Sequence, residues 1–194
     1  MNAEAQSRTA SPRQATLIIG IVVAVALIMG VTVLPTLKAP RSKLLGLPSP
    51  DFTLPVMTGG EPGNRIQLSS LRGNVVVLDF WASWCAPCRA QAPIIDRVAR
   101  KLRDKGVVVL GVDTSGDDWG RAVEFAKGHG ISYPTVFDQG DHVASAFRVQ
   151  ALPTLVILDS NGVVTDVRTR VVREDELVQL IEDARASPKG QSGS

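Results

Sequence analysis

Hydrophobic residues occur along this chain in three kinds of run. The first is continuous: ATLIIGIVVAVALIMGVTVL, residues 15–34, has twenty positions without a charge. As a helix rising 1.5 Å per residue it would span about 30 Å, the thickness of a bilayer's hydrocarbon. A cleaved secretory signal has a shorter apolar stretch followed by a small-x-small site. The one tidy match here, Ala24-Val25-Ala26, lies inside the run. The pattern predicts an uncleaved transmembrane anchor at 15–34 behind an N-terminal tail of residues 1–14. Pro35, Pro40, Pro48 and Pro50 mark 35–50 as a linker.

The second kind is short and rich in β-branched residues. VVVLDFW at 75–81, VVVLGVD at 107–113 and LVILD at 155–159 read as buried strands. DFTLPVM and RIQL, separated by TGGEPGN, read as a hairpin at the domain edge. TVFD after Tyr133-Pro134 reads as a short strand, and Ser160-Asn161-Gly162 turns LVILD into VVTDVRTRVV. The third kind has helical spacing. Ile95, Val98, Ala99 and Leu102 line one face of a segment whose other face carries Arg89, Asp96, Arg97, Arg100 and Arg103, ending near Gly106. Residues 119–127 form a second helix stopped by Gly128 and Gly130, and Asp141 is placed to cap a third through Phe147. Leu177, Leu180, Ile181 and Ala184 give the last helix its apolar face, with Glu174, Asp175 and Glu176 in the first turn, where acids suit the helix dipole. The β-α-β order calls for parallel strands, so the fold class is α/β, in one domain over 51–186. The tail SPKGQSGS, 187–194, is expected to be disordered.

Length and charge narrow the classes of function. At 194 residues, 44% of them hydrophobic, the chain accommodates one domain with appendages. Its 21 basic and 19 acidic side chains give a net charge of +2, too small for a protein held by nucleic-acid phosphates. Arg8 and Arg13 before the apolar run are balanced by Lys38, Arg41 and Lys43 after it, so flanking charge does not set membrane orientation. Placement of the domain outside the cytoplasm follows instead from the chemistry of its cysteines.

The two cysteines, Cys85 and Cys88, both fall in one eight-residue stretch from Trp81 and act locally. Cys85-Ala86-Pro87-Cys88 joins the end of a predicted strand to the start of a helix. Free amides and the dipole at such a helix start stabilise a thiolate. Cys85, at the open end with access to solvent, is the expected nucleophile. Cys88, three residues on, is placed to resolve a mixed disulfide, and Pro87 suits the first turn. A different use of the pair is as half of a copper or zinc site in a membrane-tethered metal carrier. His129 and His142, the only histidines, lie in no paired ligand motif and read as surface residues.

FWASWCAPC, residues 80–88, resembles the active-site signature of thioredoxin-fold proteins. The stretch from Asp51 to about Ala186, 136 of 194 residues, resembles the TlpA-like (ResA/DsbE-type) membrane-anchored thiol-disulfide oxidoreductases. PDFTL with IQLSSLRG, WCAPC, Pro93 eight residues after Cys85, an inserted α-β segment around 119–138 and ALPT carry the likeness. It implies a thioredoxin fold: a central mixed sheet flanked by helices, with an N-terminal β-hairpin and a central α-β insertion, preceded by one transmembrane helix. It also implies that Pro153 is a cis-proline facing a redox-active disulfide between Cys85 and Cys88. Trp84, Leu152 and Pro153 would bind substrate, and Ala86 and Pro87 would form the active-site loop. The implied activity is cofactor-free reduction of protein disulfides at the outer or periplasmic face of the cell membrane. A membrane thiol carrier would supply electrons, and apocytochrome c is the family's commonest substrate. Peroxiredoxins share the leading hairpin, but their P-x-x-x-T-x-x-C setting is absent.

Two positions depart from that pattern. Gln91 stands where such reductases often carry a glutamate, and Asp79 stands where many carry asparagine. Among Val77, Leu78 and Phe80 a carboxyl at 79 would be desolvated, its pKa raised, and it could exchange a proton with Cys88. The other reading is an acid near a strand end that faces water.

Overall fold

A computed structural model describes residues 12–33 and 42–187. Most of the predicted N-terminal tail, the start of the linker and all but the first residue of the predicted C-terminal tail lie outside the described residues. The chain forms two compact units, residues 1–40 and 41–194.

The first unit contains helix α1, Pro12–Val33. Its side chains are described at position 13 and over 16–26. Leu17, Ile18, Ile19, Ile21, Val22, Val23 and Val25 are each at least half exposed, and their spacing distributes them around the whole helix. Among the described residues no helix is long and apolar enough to cross a membrane.

The second unit is built on a seven-stranded mixed sheet. Its strands are β1 (Thr53–Thr58), β2 (Arg65–Gln67), β3 (Val75–Trp81), β4 (Val107–Asp113), β5 (Thr135–Phe137), β6 (Thr154–Leu158) and β7 (Val164–Arg168), in the order β2-β1-β5-β4-β3-β6-β7. β3 and β4 are parallel with Val75 opposite Val107, as are β4 and β5. The β1–β2, β1–β5, β3–β6 and β6–β7 pairs are antiparallel. β3 is an interior strand between β4 and β6 and all seven of its residues are buried, which is why it reads as an unbroken apolar run rather than an alternating one.

Strand alternation sorts the core into two layers. Val75, Val77 and Trp81 of β3, Val107 and Val109 of β4, and Leu155 and Ile157 of β6 face helices α2 (Ala86–Leu102), α3 (Trp119–Gly128) and α5 (Glu174–Ala186). Val76, Leu78, Phe80, Leu110, Val112, Val156 and Leu158 face the other way, onto α4 (His142–Ala146), Phe147 and the hairpin side. Packing begins before Asp51. Leu44 is buried in this second layer, Pro48 bridges to Val163, and the Gly46 and Ser49 amides donate to Val164 and Gly162.

Two acids differ from their sequence reading. Asp141 does not cap α4: it lies in the left-handed region at φ 59° and makes no cap bond. Its Oδ1 instead accepts from the Thr114 hydroxyl and the Ser115 and Gly116 amides, while Asp138 accepts from the Val143 and Ala144 amides and does the capping. Asp96, expected on the solvent face of α2, is buried and accepts from the amide and hydroxyl of Ser132, both at 2.7 Å. Burial pushes its pKa up, but the two Ser132 bonds and Arg100 outweigh this and leave it below the usual value. Asp96 thereby ties α2 to the loop that leads into β5.

Candidate active site

β3 ends at Trp81, and residues 82–85 turn the chain into α2. Cys85 is the N-cap of that helix in extended geometry, and its sulfur accepts from the Cys88 amide at 3.2 Å. Cys85 and Cys88 are joined in a disulfide, their Cα atoms 5.3 Å apart. Pro87 lies in the first turn, where its missing N–H costs no bond. Cys88, Ala92, Ile95, Val98 and Leu102 then form the buried stripe of α2, which continues through Pro93.

The expectation that Cys85 is open to solvent needs correction. In the disulfide form Cys85 is 3% exposed and Cys88 2%, so exposure does not tell them apart. The difference lies in hydrogen bonding, since only Cys85 Sγ receives a backbone N–H at the helix start. Ala86 and Pro87 between them are exposed, and Trp84 stands 56% exposed beside them.

The Leu152–Pro153 peptide is cis, as the family resemblance implied. Pro153 is buried and Leu152 half-buried. β6 begins at Thr154, opposite Phe80, so this segment enters the sheet at the edge where β3 delivers the cysteine loop. Trp84, Leu152 and Pro153 are thus held at one end of the sheet by two neighbouring strands.

Asp79 does not face water. It is 3% exposed and by alternation lies between Val77 and Trp81 on the face that α2 and the cysteines cover. Tyr133 donates its hydroxyl to Asp79 Oδ2 at 2.9 Å, while Oδ1 has no partner. Burial pushes the Asp79 carboxyl up to about 6, with the Tyr133 bond pulling the other way. The same contact and the burial of the phenol hold Tyr133 well above its usual value, so it stays a neutral donor.

A close approach over β4 makes that bond fit. Gly111 pairs with Asp79 in register, and a Cβ there would lie 2.9 Å from Trp81 Nε1, 3.0 Å from Thr135 Cγ2 and 3.2 Å from Tyr133 Cε2. We expect Gly111→Ala to destabilise the domain by about 1–3 kcal/mol, the usual cost of overpacking, in urea or thermal unfolding. Unfolding that matches the wild type would mean the neighbours yield freely.

Gln91 is fully buried; its Oε1 accepts from the Val172 amide at 2.8 Å and its Nε2 has no partner. It therefore links α2 to the approach to α5. His129 stacks on Phe125 with ring centroids 4.1 Å apart, and His142 is exposed. Among the described residues no group of three or more His, Cys, Asp or Glu side chains is placed to hold a metal ion.

Periodicity alone missed three contributors. Tyr133 comes from a loop 54 positions away, and nothing local to Ser132-Tyr133-Pro134 announces its partner. Ser83 is bound through both its amide and its hydroxyl by Asp117, 34 positions on. Asp113 ends β4 beside Trp81, on the cysteine-facing side and wholly buried. Its signal was present, because VVVLGVD places Asp113 in phase with Val107 and Val109.

The sequence profile of the AhpC/TSA family matches residues 45–167. The chain belongs to that family. Within the family it is similar to the thiol-disulfide oxidoreductase ResA of Geobacillus kaustophilus, 31% identical over 141 residues that cover 73% of this chain and 78% of the relative. A crystal structure from Chlorobium tepidum, described as a thiol:disulfide interchange protein DsbE, superposes with a TM-score of 0.65 at 33% identity. It covers 72% of this chain and 96% of that one. A secreted thiol-disulfide isomerase from Corynebacterium glutamicum superposes with a TM-score of 0.64 at 27% identity, covering 70% and 84%. This AhpC/TSA member is a ResA/DsbE-type thiol-disulfide oxidoreductase of thioredoxin-like fold with a C-x-x-C pair.

Proposed function

We propose that the protein is a membrane-anchored, extracytoplasmic reductase of protein disulfides that works by dithiol-disulfide exchange through Cys85 and Cys88. The observation that carries this reading is the pairing of a disulfide at a helix start with a buried acid on the same face of the sheet.

In the reduced protein the Cys85 thiolate, stabilised by the Cys88 amide and the helix dipole, attacks one sulfur of a substrate disulfide. The substrate S–S bond breaks, a Cys85–substrate disulfide forms, and the leaving sulfur takes up a proton. Cys88 then gives its proton to Asp79 and attacks Cys85. The second substrate sulfur leaves as a thiolate and is protonated from solvent, the Cys85–Cys88 disulfide closes, and the substrate has gained two electrons from the cysteine pair and two protons from solvent. At neutral pH a carboxyl with a pKa of about 6 is mostly ionised and serves as the base; it returns the proton when the pair is reduced again. Trp84 offers an exposed apolar contact beside the disulfide, and Leu152 offers backbone groups to an extended substrate segment.

A membrane thiol carrier supplies the electrons, and the substrate is a protein with an oxidised cysteine pair, with apocytochrome c the leading candidate. The anchor is read from the sequence: the twenty uncharged residues 15–34 would rise about 30 Å as a helix, and the apolar side chains described over 16–26 are exposed around the helix, as lipid contact requires. The secreted relative from Corynebacterium glutamicum supports placement of the domain outside the cytoplasm. The test is to reduce intact cells, or spheroplasts where an outer membrane is present, and add a membrane-impermeant maleimide. We expect Cys85 to be labelled without lysis. Labelling only after the membrane is opened would place the domain inside.

A further inference from the structure

The exchange steps above hand the proton of Cys88 to Asp79 but leave unused the side chain that touches Asp79. Tyr133 is 3% exposed and donates its hydroxyl to Asp79 Oδ2 at 2.9 Å, while Asp79 Oδ1 has no partner. The loop that carries Tyr133 is fastened from several elements. Asp96, on α2 eight residues after Cys88, accepts from the Ser132 amide and hydroxyl, both at 2.7 Å. Pro134 O accepts from the Gly111 amide at 2.9 Å, and a Cβ at Gly59 would collide with Tyr133 O. The Tyr133 ring lies so close over Gly111 that a Cβ there would stand 3.2 Å from Cε2. A phenol held on all these sides is ordered when the protein folds, so no further ordering is needed during exchange.

The contacts close a ring. α2 carries Cys88 at its start and Asp96 farther along; Asp96 fixes the loop, the loop fixes Tyr133, and Tyr133 grips the carboxyl that Cys88 has to reach. Occupying Oδ2 leaves Oδ1 as the open acceptor, and a donor on Oδ2 favours the ionised carboxylate, the form that takes up a proton. We propose that Tyr133 is a positioning residue for the exchange reaction, holding Asp79 by Oδ2 so that Oδ1 is presented to the proton of Cys88. The other groups around Asp79 carry no charge near neutrality. β4 and β6 set Gly111 and Leu155 beside it in register, and α2 brings the disulfide and the neutral Gln91 to the same side of the sheet. Asp113, two residues along β4 from Gly111, is pushed up to about 9 by burial and then by Asp117, so it stays protonated. Asp96 acts on Tyr133, raising it together with burial and Asp79, and so keeps the phenol a donor.

The inference rests on Asp79 as the acceptor of the Cys88 proton, and its test keeps the two ideas apart. Tyr133→Phe, made in the full chain and held in detergent micelles, keeps the ring over Gly111 and loses the donor. The Asp79 carboxyl carbon of the disulfide form is titrated by NMR in wild type and variant from about pH 4 to about pH 9. Single-turnover reduction of insulin by the reduced proteins is timed from about pH 6 to about pH 9, with Asp79→Asn alongside. Each rate is divided by that of the wild type, so that ionisation of Cys85 cancels. We expect the Asp79 step to move up by about one pH unit in Tyr133→Phe, from loss of one bond to a charged group. Reduction by this variant should be about 3-fold slower than wild type at about pH 6.5 and equal to it at about pH 9, whereas Asp79→Asn stays slow throughout. Added to Asp79→Asn, Tyr133→Phe should slow reduction no further, although damage to packing would. An Asp79 step that stays in place, or a Tyr133→Phe rate ratio that does not change with pH while Asp79→Asn is slow, overturns the proposal alone. Asp79→Asn reducing insulin as fast as wild type contradicts Asp79 as the proton acceptor, and the positioning role falls with it.

Discussion

Cys85→Ser should abolish disulfide reduction, whereas Cys88→Ser should lose turnover yet still form the first mixed disulfide. Both variants fail to cycle because one sulfur cannot both attack and resolve, but they fail at different steps. With each variant reduced, the remaining thiol reports its own environment. An ordinary thiol with a pKa near 8.5 is only about 3% thiolate at pH 7. Cys85 sits at the N-cap of α2 with the Cys88 amide aimed at its sulfur, which favours its thiolate over that of Cys88. A thiolate of lower pKa is a weaker nucleophile, which gives back part of the gain. The net expectation is alkylation on the order of 10-fold faster at Cys85 in Cys88→Ser than at Cys88 in Cys85→Ser. Iodoacetamide kinetics at neutral pH measure it, and the opposite order would reverse the roles of the two cysteines.

Asp79→Asn should make the protein more stable and less active. The carboxyl has a pKa of about 6 in the folded chain against 3.8 for the free group. Between these values the native state holds more protons than the unfolded one, so stability falls as pH rises from about 4 to about 6 and is level above that. Two pKa units correspond to about 3 kcal/mol, which is the cost of the ionised group at neutral pH. The amide lacks that cost and can still accept the Tyr133 hydroxyl. Urea unfolding should therefore show a gain of up to about 3 kcal/mol at pH 7 and none below about pH 4. Exchange should slow by about 10-fold or more, because the amide cannot take the proton from Cys88. The wild-type rate should fall as pH drops through about 6, and the variant should lack that step. Identical pH profiles would make Asp79 a structural residue.

What was legible in the sequence was whatever depends on near neighbours. VVVLDFW and VVVLGVD give β3 and β4 to the residue, because strands buried on both faces leave no choice of apolar pattern. Asp79 could be placed inside because its neighbours are apolar on both sides, and Cys85 at a helix start because strand, C-x-x-C and amphipathic segment follow one another directly. Bonds set by strand register were not legible. Tyr133 reaches Asp79 across Gly111, and Asp117 reaches Ser83, only because β3, β4 and β5 run parallel in a particular alignment that periodicity does not specify. Asp141 misled for a related reason: it directly precedes α4, but its left-handed backbone turns the carboxylate toward the loop after β4, and Asp138 takes the cap.

The exchange reading is tested most directly by what Cys85 captures in the cell. Cys88→Ser, expressed as the full chain in its native host and quenched with acid before alkylation, should run on non-reducing gels as reductant-sensitive adducts. Their second component, identified by mass spectrometry, should be extracytoplasmic or membrane proteins joined to Cys85 through one cysteine of a pair. Cys85→Ser in the same host should give none. Absence of adducts from Cys88→Ser, or equal adducts from both variants, would contradict the account.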